Sequence, residues 1–191
     1  CVPNFSEGRR PEVIKSITDT ITSVPGVVLL DSEMDKDHNR AVVTVAGEPN
    51  AMKKAMFLGI KKAAEVIDLR THKGEHPRMG ATDVCPFVPI SEMTTEECVE
   101  LAKALGEQVG RELEIPVYLY DQAATRVERQ SLPNIRNKHG EYEGIKAKIA
   151  TEPELAPDYG PRKMHEQAGA IAIGVRFPLI AFNAYLATNN I

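Results

Sequence analysis

Between Pro11 and Ile67 the spacing of apolar residues switches from a helical repeat to strand-like runs and back, and few folds are open to such a chain. Val13, Ile14, Ile17, Ile21 and Val24 recur at three and four, with Pro11 suited to a first helical turn and Pro25-Gly26 to a stop. Val27-Val28-Leu29-Leu30 and Arg40 to Val45 are short apolar, β-branched runs. The polar stretch Asp31 to Asn39 separates them, which fits two strands joined by a turn. The helical repeat returns in Met52, Ala55, Met56, Ile60, Ala63, Ala64 and Ile67, with Lys53, Lys54, Lys61 and Lys62 largely off the stripe.

With Cys1 to Asn4 as an opening strand and Ala81 to Ile90 as an interrupted one, the order is β-α-β-β-α-β, that of a split βαβ unit. A third helix is expected from Thr94 or Thr95, its inner face formed by Cys98, Leu101, Ala102, Leu105, Val109 and Leu113. The strand Val117-Tyr118-Leu119-Tyr120 follows. Asp121 to Pro161 is polar and weakly patterned, and a hydrophobic, aromatic strand from Val175 to Leu186 is expected to close the chain. The expected fold is α+β: a ferredoxin-like (split βαβ) mixed sheet with helices packed on one face and a C-terminal extension.

Among 191 residues, 23 basic side chains are scattered through 27 acidic ones for a net charge of −4, which leaves no footprint for nucleic acid or anionic lipid. No apolar run approaches the roughly 18 residues of a membrane-spanning helix, and no signal-peptide pattern opens the chain. Cys1, Cys85 and Cys98 lack C-x-x-C spacing and favour a reducing compartment, so a cytoplasmic address is expected. No glycine-rich nucleotide motif follows a strand. A small-molecule function is the expectation that remains.

Chemistry concentrates between His72 and Asp83, where His72, Lys73, Glu75, His76, Arg78 and Asp83 share a loop punctuated by Gly74, Pro77 and Gly80. His76 is the natural acid–base candidate, because an imidazole titrates near neutrality. His72 and His76 stand four apart, but that spacing shares a face only on a helix, and no metal is expected here. Cys1 reads either as strand or as an N-terminal nucleophile. His38, beside Asp37, Asn39 and Arg40, reads as polar turn chemistry, with Asn39 and Arg40 able to donate to a carboxylate or amide. Pro157 to Gly169 carries Arg162, Lys163 and His165, and reads either as a mobile connection or as a loop over an anionic ligand.

Several motifs together resemble the amino-terminal subdomain of formiminotransferase, as in formiminotransferase-cyclodeaminase. They are Cys1-Val2-Pro3-Asn4-Phe5-Ser6-Glu7-Gly8, Asn39-Arg40, Ile67-Asp68 and His72-Lys73-Gly74-Glu75-His76-Pro77-Arg78-Met79-Gly80-Ala81. Asp83-Val84-Cys85-Pro86-Phe87, Pro116-Val117-Tyr118-Leu119-Tyr120, Leu132-Pro133, Ala156-Pro157-Asp158, Gly160-Pro161 and Ile180-Ala181-Phe182-Asn183 extend the likeness along the chain. The resemblance implies transfer of a formimino group from N-formimino-L-glutamate to N5 of tetrahydrofolate, releasing glutamate in histidine degradation. It implies that His76 is the catalytic residue, serving as base and then as acid, and that Cys1 is a strand residue.

The same resemblance assigns folate binding to Gly160, Pro161, Arg162, Lys163, Met164, His165, Glu166, Gln167, Ala168 and Gly169, a stretch more charged here than in animal relatives. Asn39, Arg40 and Arg78 are expected to hold substrate carboxylates or the formimino group, and Asp83 to orient His76. Tetrahydrofolate is expected as acceptor substrate, and a homodimer as the assembly. Residues 1–191 correspond to the first subdomain, with the family's second, C-terminal subdomain expected to lie outside this sequence. Two alternatives stand beside this reading: formyl transfer between N-formylglutamate and tetrahydrofolate, and a noncatalytic folate-binding or interaction module.

Overall fold

The computed structural model describes residues 1–179, and within them the change of period becomes a six-stranded mixed sheet. The first four strands are β1 (Asn4–Phe5), β2 (Val27–Asp35), β3 (Arg40–Gly47) and β4 (Thr82–Phe87), followed by β5 (Val117–Asp121) and β6 (Ile171–Val175). The helices are α1 (Pro11–Thr22), α2 (Pro49–Val66), α3 (Thr95–Glu112), and the short α4 (Leu132–Ile135) and α5 (Glu141–Lys148). Strand order is β2-β3-β1-β4-β6-β5. The first four are antiparallel neighbours, whereas β4, β6 and β5 run parallel.

Each helix begins where the sequence provides for it. Pro11 and Pro49 occupy first-turn positions, where a missing N–H costs nothing. Thr94 caps α3: its hydroxyl accepts from Glu97 N at 3.1 Å, while the Glu97 carboxylate accepts from Thr94 N at 2.8 Å. The apolar stripes face inward as their spacing requires, with Ile14, Ile17 and Ile21 of α1, Met52, Met56 and Ile60 of α2, and Leu105 and Val109 of α3 all buried. These three helices pack side by side and cover one face of the sheet.

Three expectations are corrected. The opening strand pairs from Cys1 onward through Cys1 O, which accepts from Val45 N, but its regular part is Asn4–Phe5. The closing strand lies earlier than Val175 to Leu186. Ile171–Val175 is wholly buried between β4 and β5, and such a strand is apolar throughout rather than alternating. Arg176 to Leu179 are not strand, and residues 180–191 of the expected element, including Ile180-Ala181-Phe182-Asn183, lie outside the described residues.

Finally, helical cover is not confined to one face. Val117 points at Gly106 of α3, and the next residue, Tyr118, must face the other way. Its hydroxyl donates to Leu155 O at 2.8 Å. The weakly patterned segment from Val127 to Leu155, with α4, α5 and two 3-10 turns, therefore closes the second face over β5.

Candidate active site

The loop after α2 is bound on both flanks. On one side Ala170 N donates to Met79 O at 2.9 Å, Ala81 N donates to Ala168 O at 2.9 Å, and Asp83 accepts from Met79 N at 2.7 Å. On the other it runs along the β2–β3 turn. Glu75 N donates to Asp37 O at 3.1 Å, and Asn39 Nδ2 donates to Lys73 O at 2.9 Å. A side chain at Gly74 would collide with His38 O and the Asn39 Cβ, so glycine is what allows the two backbones to meet.

This docking sets His76 against Arg40, at the start of β3. Arg40 Nη1 lies 2.9 Å from His76 Nε2 and donates to Asn4 Oδ1 of β1 at 3.1 Å. A guanidinium only donates, so His76 Nε2 is the acceptor and the ring hydrogen sits on Nδ1. Burial first, then the Arg40 and Arg136 cations, push the His76 pKa down to about 4, against a bond to the Pro77 backbone. The ring is a neutral base with its lone pair held by a cation. A second imidazole stands beside it: the His38 ring centroid is 6.3 Å away, at an interplanar angle of 69°.

Arg40 is half-buried and has no carboxylate within ion-pair distance among the described residues. It borders an open groove of about 460 Å³ on the uncovered face of the sheet, with Glu33, Met34, Asp35 and Val42. A desolvated cation of this kind, facing solvent-filled space, suits a carboxylate ligand.

The other sequence-derived candidates are engaged within the protein. Asn39 accepts from Gly8 N at 2.9 Å, and it holds a left-handed turn with φ of 49°. Arg78 donates to both Glu143 oxygens at 2.7 and 2.9 Å, to Glu141 at 3.4 Å, and from Nε to His72 Nδ1 at 3.3 Å. Asp83 is buried and ion-paired with Arg136, which also contributes to the field on His76. Asp83 therefore reaches the loop through Met79 N, and Asn39 and Arg78 have their polar atoms committed to the loop and to α5.

The stretch Gly160 to Gly169 is tightly fastened. His165 and Gly169 exchange backbone hydrogen bonds at 2.9 and 3.2 Å, and Gly169 has φ of 71°, which favours glycine. Leu69 N donates to Gln167 O at 2.9 Å, and the Tyr142 hydroxyl of α5 donates to Glu166 O at 3.1 Å. Since Tyr142 N also donates to Arg78 O at 2.9 Å, α5 links this stretch to the His76 loop. A cleft of about 500 Å³ lies alongside, lined by Arg70, Lys163, His165 and Gln167 among others.

With this geometry in place, comparison with known proteins is decisive. The formiminotransferase domain, N-terminal subdomain, matches residues 1–176. The chain belongs to the formiminotransferase family. It is 52% identical over 191 residues to the glutamate formimidoyltransferase of Streptococcus pyogenes serotype M1, covering 100% of this chain and 63% of that protein. The corresponding protein of Thermoplasma acidophilum is 51% identical over 190 residues, of which this chain spans 62%. The formimidoyltransferase-cyclodeaminase of Rattus norvegicus is 47% identical over 186 residues, covering 97% of this chain and 34% of that protein. This formiminotransferase subdomain thus spans less than two thirds of the curated relatives it matches. Among its described residues, no helix is long and apolar enough to cross a membrane.

Three residues around this pair are distant in sequence. Asn4, which accepts from Arg40, His38, whose ring stands beside His76, and Arg136, whose charge acts on His76, are 72, 38 and 60 positions from His76, and no local pattern ties them to it. The short polar turn 37–40 was the available signal for His38, and it reads as solvated turn chemistry until the loop is docked on it.

Proposed function

We propose that this site transfers the formimino group of N-formimino-L-glutamate to N5 of tetrahydrofolate, releasing L-glutamate, in the breakdown of histidine and one-carbon metabolism. The observation that carries the reading is the pairing of a neutral His76 with an Arg40 that has no carboxylate of its own among the described residues. The donor's carboxylate binds Arg40 and draws it from His76 Nε2, which frees the lone pair. N5 attacks the amidine carbon and His76 takes the proton that N5 must lose, and the bond from carbon to the glutamate nitrogen then breaks as that nitrogen gains a proton. Holding donor and acceptor together converts an encounter into an oriented, nearly unimolecular step.

In this reading Arg40 meets the substrate, while Asn39, Arg78 and Asp83 hold the loop that presents His76. Gly160 to Gly169 receives the tetrahydrofolate. Arg70 and Lys163 beside the cleft suit its anionic glutamyl tail. The order β2-β3-β1-β4, antiparallel throughout, supports a ferredoxin-like unit extended by β6 and β5. A cytoplasmic homodimer completes the proposal. The edge strand β2, with Val28 and Leu30 exposed, is the surface that supports self-association, and sedimentation of a micromolar sample as a monomer would contradict it.

The test mixes the protein with tetrahydrofolate and N-formiminoglutamate and follows 5-formimino-tetrahydrofolate. His76→Ala is expected to lower turnover by about 10²–10⁴-fold with the fold intact. Undiminished turnover in the variant would remove His76 from the chemistry.

A further inference from the structure

We propose that His38, held by Asp35, is a second catalytic residue of this site and delivers the proton to the departing glutamate nitrogen. This rests on the formimino-transfer reading and assigns one step within it.

The turn that carries His38 is built around one carboxylate. Asp35 Oδ1 accepts from the backbone N–H of Asp37 at 2.9 Å and of His38 at 2.8 Å, and its Oδ2 lies 2.8 Å from His38 Nδ1. A carboxylate on Nδ1 fixes that nitrogen as the one bearing hydrogen, so Nε2 is the position that exchanges protons. The neighbouring residue is equally fixed. Asn39 bridges Gly8 N and Lys73 O, and His72 Nε2 donates to Asn39 O at 3.0 Å. Together with the Glu75–Asp37 bond, these contacts hold the two imidazoles in one arrangement, with ring centroids 6.3 Å apart.

That separation fits the reaction. The tetrahedral intermediate carries the incoming N5 and the outgoing glutamate nitrogen on one carbon, and two adjacent imidazoles give each nitrogen its own proton-transfer partner at the same time. His76 has one nitrogen for this work. Its ring also bonds the Pro77 backbone, so Nε2, once Arg40 is drawn away, is the atom that takes the N5 proton. His38 faces a carboxylate instead, and no cation lies within ion-pair distance of Asp35 among the described residues apart from His38 itself. Two titratable groups placed in opposite electrostatic surroundings divide acid and base work between them.

The protons balance. N5 forms its bond to the amidine carbon and loses its proton to His76 Nε2. The bond from carbon to the glutamate nitrogen breaks as that nitrogen receives a proton from His38 Nε2. His76 then returns its proton to His38 through solvent, and both rings regain their starting states.

The decisive experiment compares two donors with the intact protein: N-formimino-L-glutamate and N-formimino-3-fluoroglutamate, whose amine is less basic and leaves with less help. His38→Ala is expected to lower kcat by about 10²-fold or more with the first donor but by less than about tenfold with the second, with KM little changed in both. Asp35→Asn, which keeps the turn's acceptor oxygen, should move in the same direction by a smaller factor. Equal losses with the two donors, or an effect on KM alone, would overturn the assignment. If His76→Ala abolishes transfer while His38→Ala does not impair it, this inference fails and the formimino-transfer reading stands. If the unaltered protein transfers nothing from either donor, that reading fails and the inference falls with it.

Discussion

The outer faces of β3 and β5 belong to one sheet and have opposite fates. On β3 the side chains of Arg40 and Val42 are half-buried and border an open groove, whereas on β5 Tyr118 and Tyr120 are buried. Over β5 the polar groups satisfy one another. Tyr118 donates to Leu155 O, Arg129 pairs with Asp158 at 2.6 Å and donates to Ala156 O at 2.6 Å, and Arg136 pairs with Asp83. Over β3 the principal cation has only Asn4 and a neutral imidazole. Arginine thus stands in two settings here: paired and buried it fastens a layer, and at the open face Arg40 is left without an ion pair among the described residues.

The comparison breaks most visibly through the two arginines. Arg136→Met leaves a buried Asp83 without its counter-charge and is expected to lower unfolding free energy by about 3–5 kcal/mol. Arg40→Gln removes no ion pair, and should change it by no more than about 1 kcal/mol. Urea denaturation of both variants checks the contrast, and equal losses would dissolve it.

In the transfer assay the ranking reverses in kind. Arg40→Gln is expected to raise the KM for N-formiminoglutamate about tenfold or more, the equivalent of about 1.5–3 kcal/mol for a hydrogen bond to a charged group. An unchanged KM would place the donor carboxylate elsewhere. A single hydrogen bond tests the closed side, where Tyr118→Phe removes one buried hydroxyl and leaves Leu155 O without its donor. A stability loss of about 1–3 kcal/mol with unchanged kinetics is expected.

The same contrast explains what could be read from the amino-acid sequence. The stripes of α1, α2 and α3, the Thr94 cap and the loop around His76 are local patterns, and each lies where the residues imply. The cover over β5 is not local. Its ion pair between Arg136 and Asp83 spans 53 positions, and a segment held by such contacts shows no period of its own. Strand β6 escaped because alanine and glycine alternate with isoleucine from Ala170 to Val175, a weaker signal than the aromatic run that follows. At the candidate site, His76 stands out by its motif in the sequence, but Arg40, which the fold sets against it, is 36 positions away. Asn39 and Arg78 look like ligands by residue type, and only the tertiary structure reveals that their polar atoms serve the loop.

The central claim is that Arg40 and burial keep His76 neutral until a carboxylate arrives. Nuclear magnetic resonance titration of the His76 imidazole tests it directly. In the free protein the midpoint is expected near 4, below the ordinary 6.5, so the ring is an unprotonated base at neutral pH. Arg40→Gln should raise the midpoint part of the way, because burial is the larger cause, and N-formiminoglutamate should raise it in the unaltered protein by drawing Arg40 away. A midpoint near 6.5, unmoved by the substitution or the donor, would contradict the account.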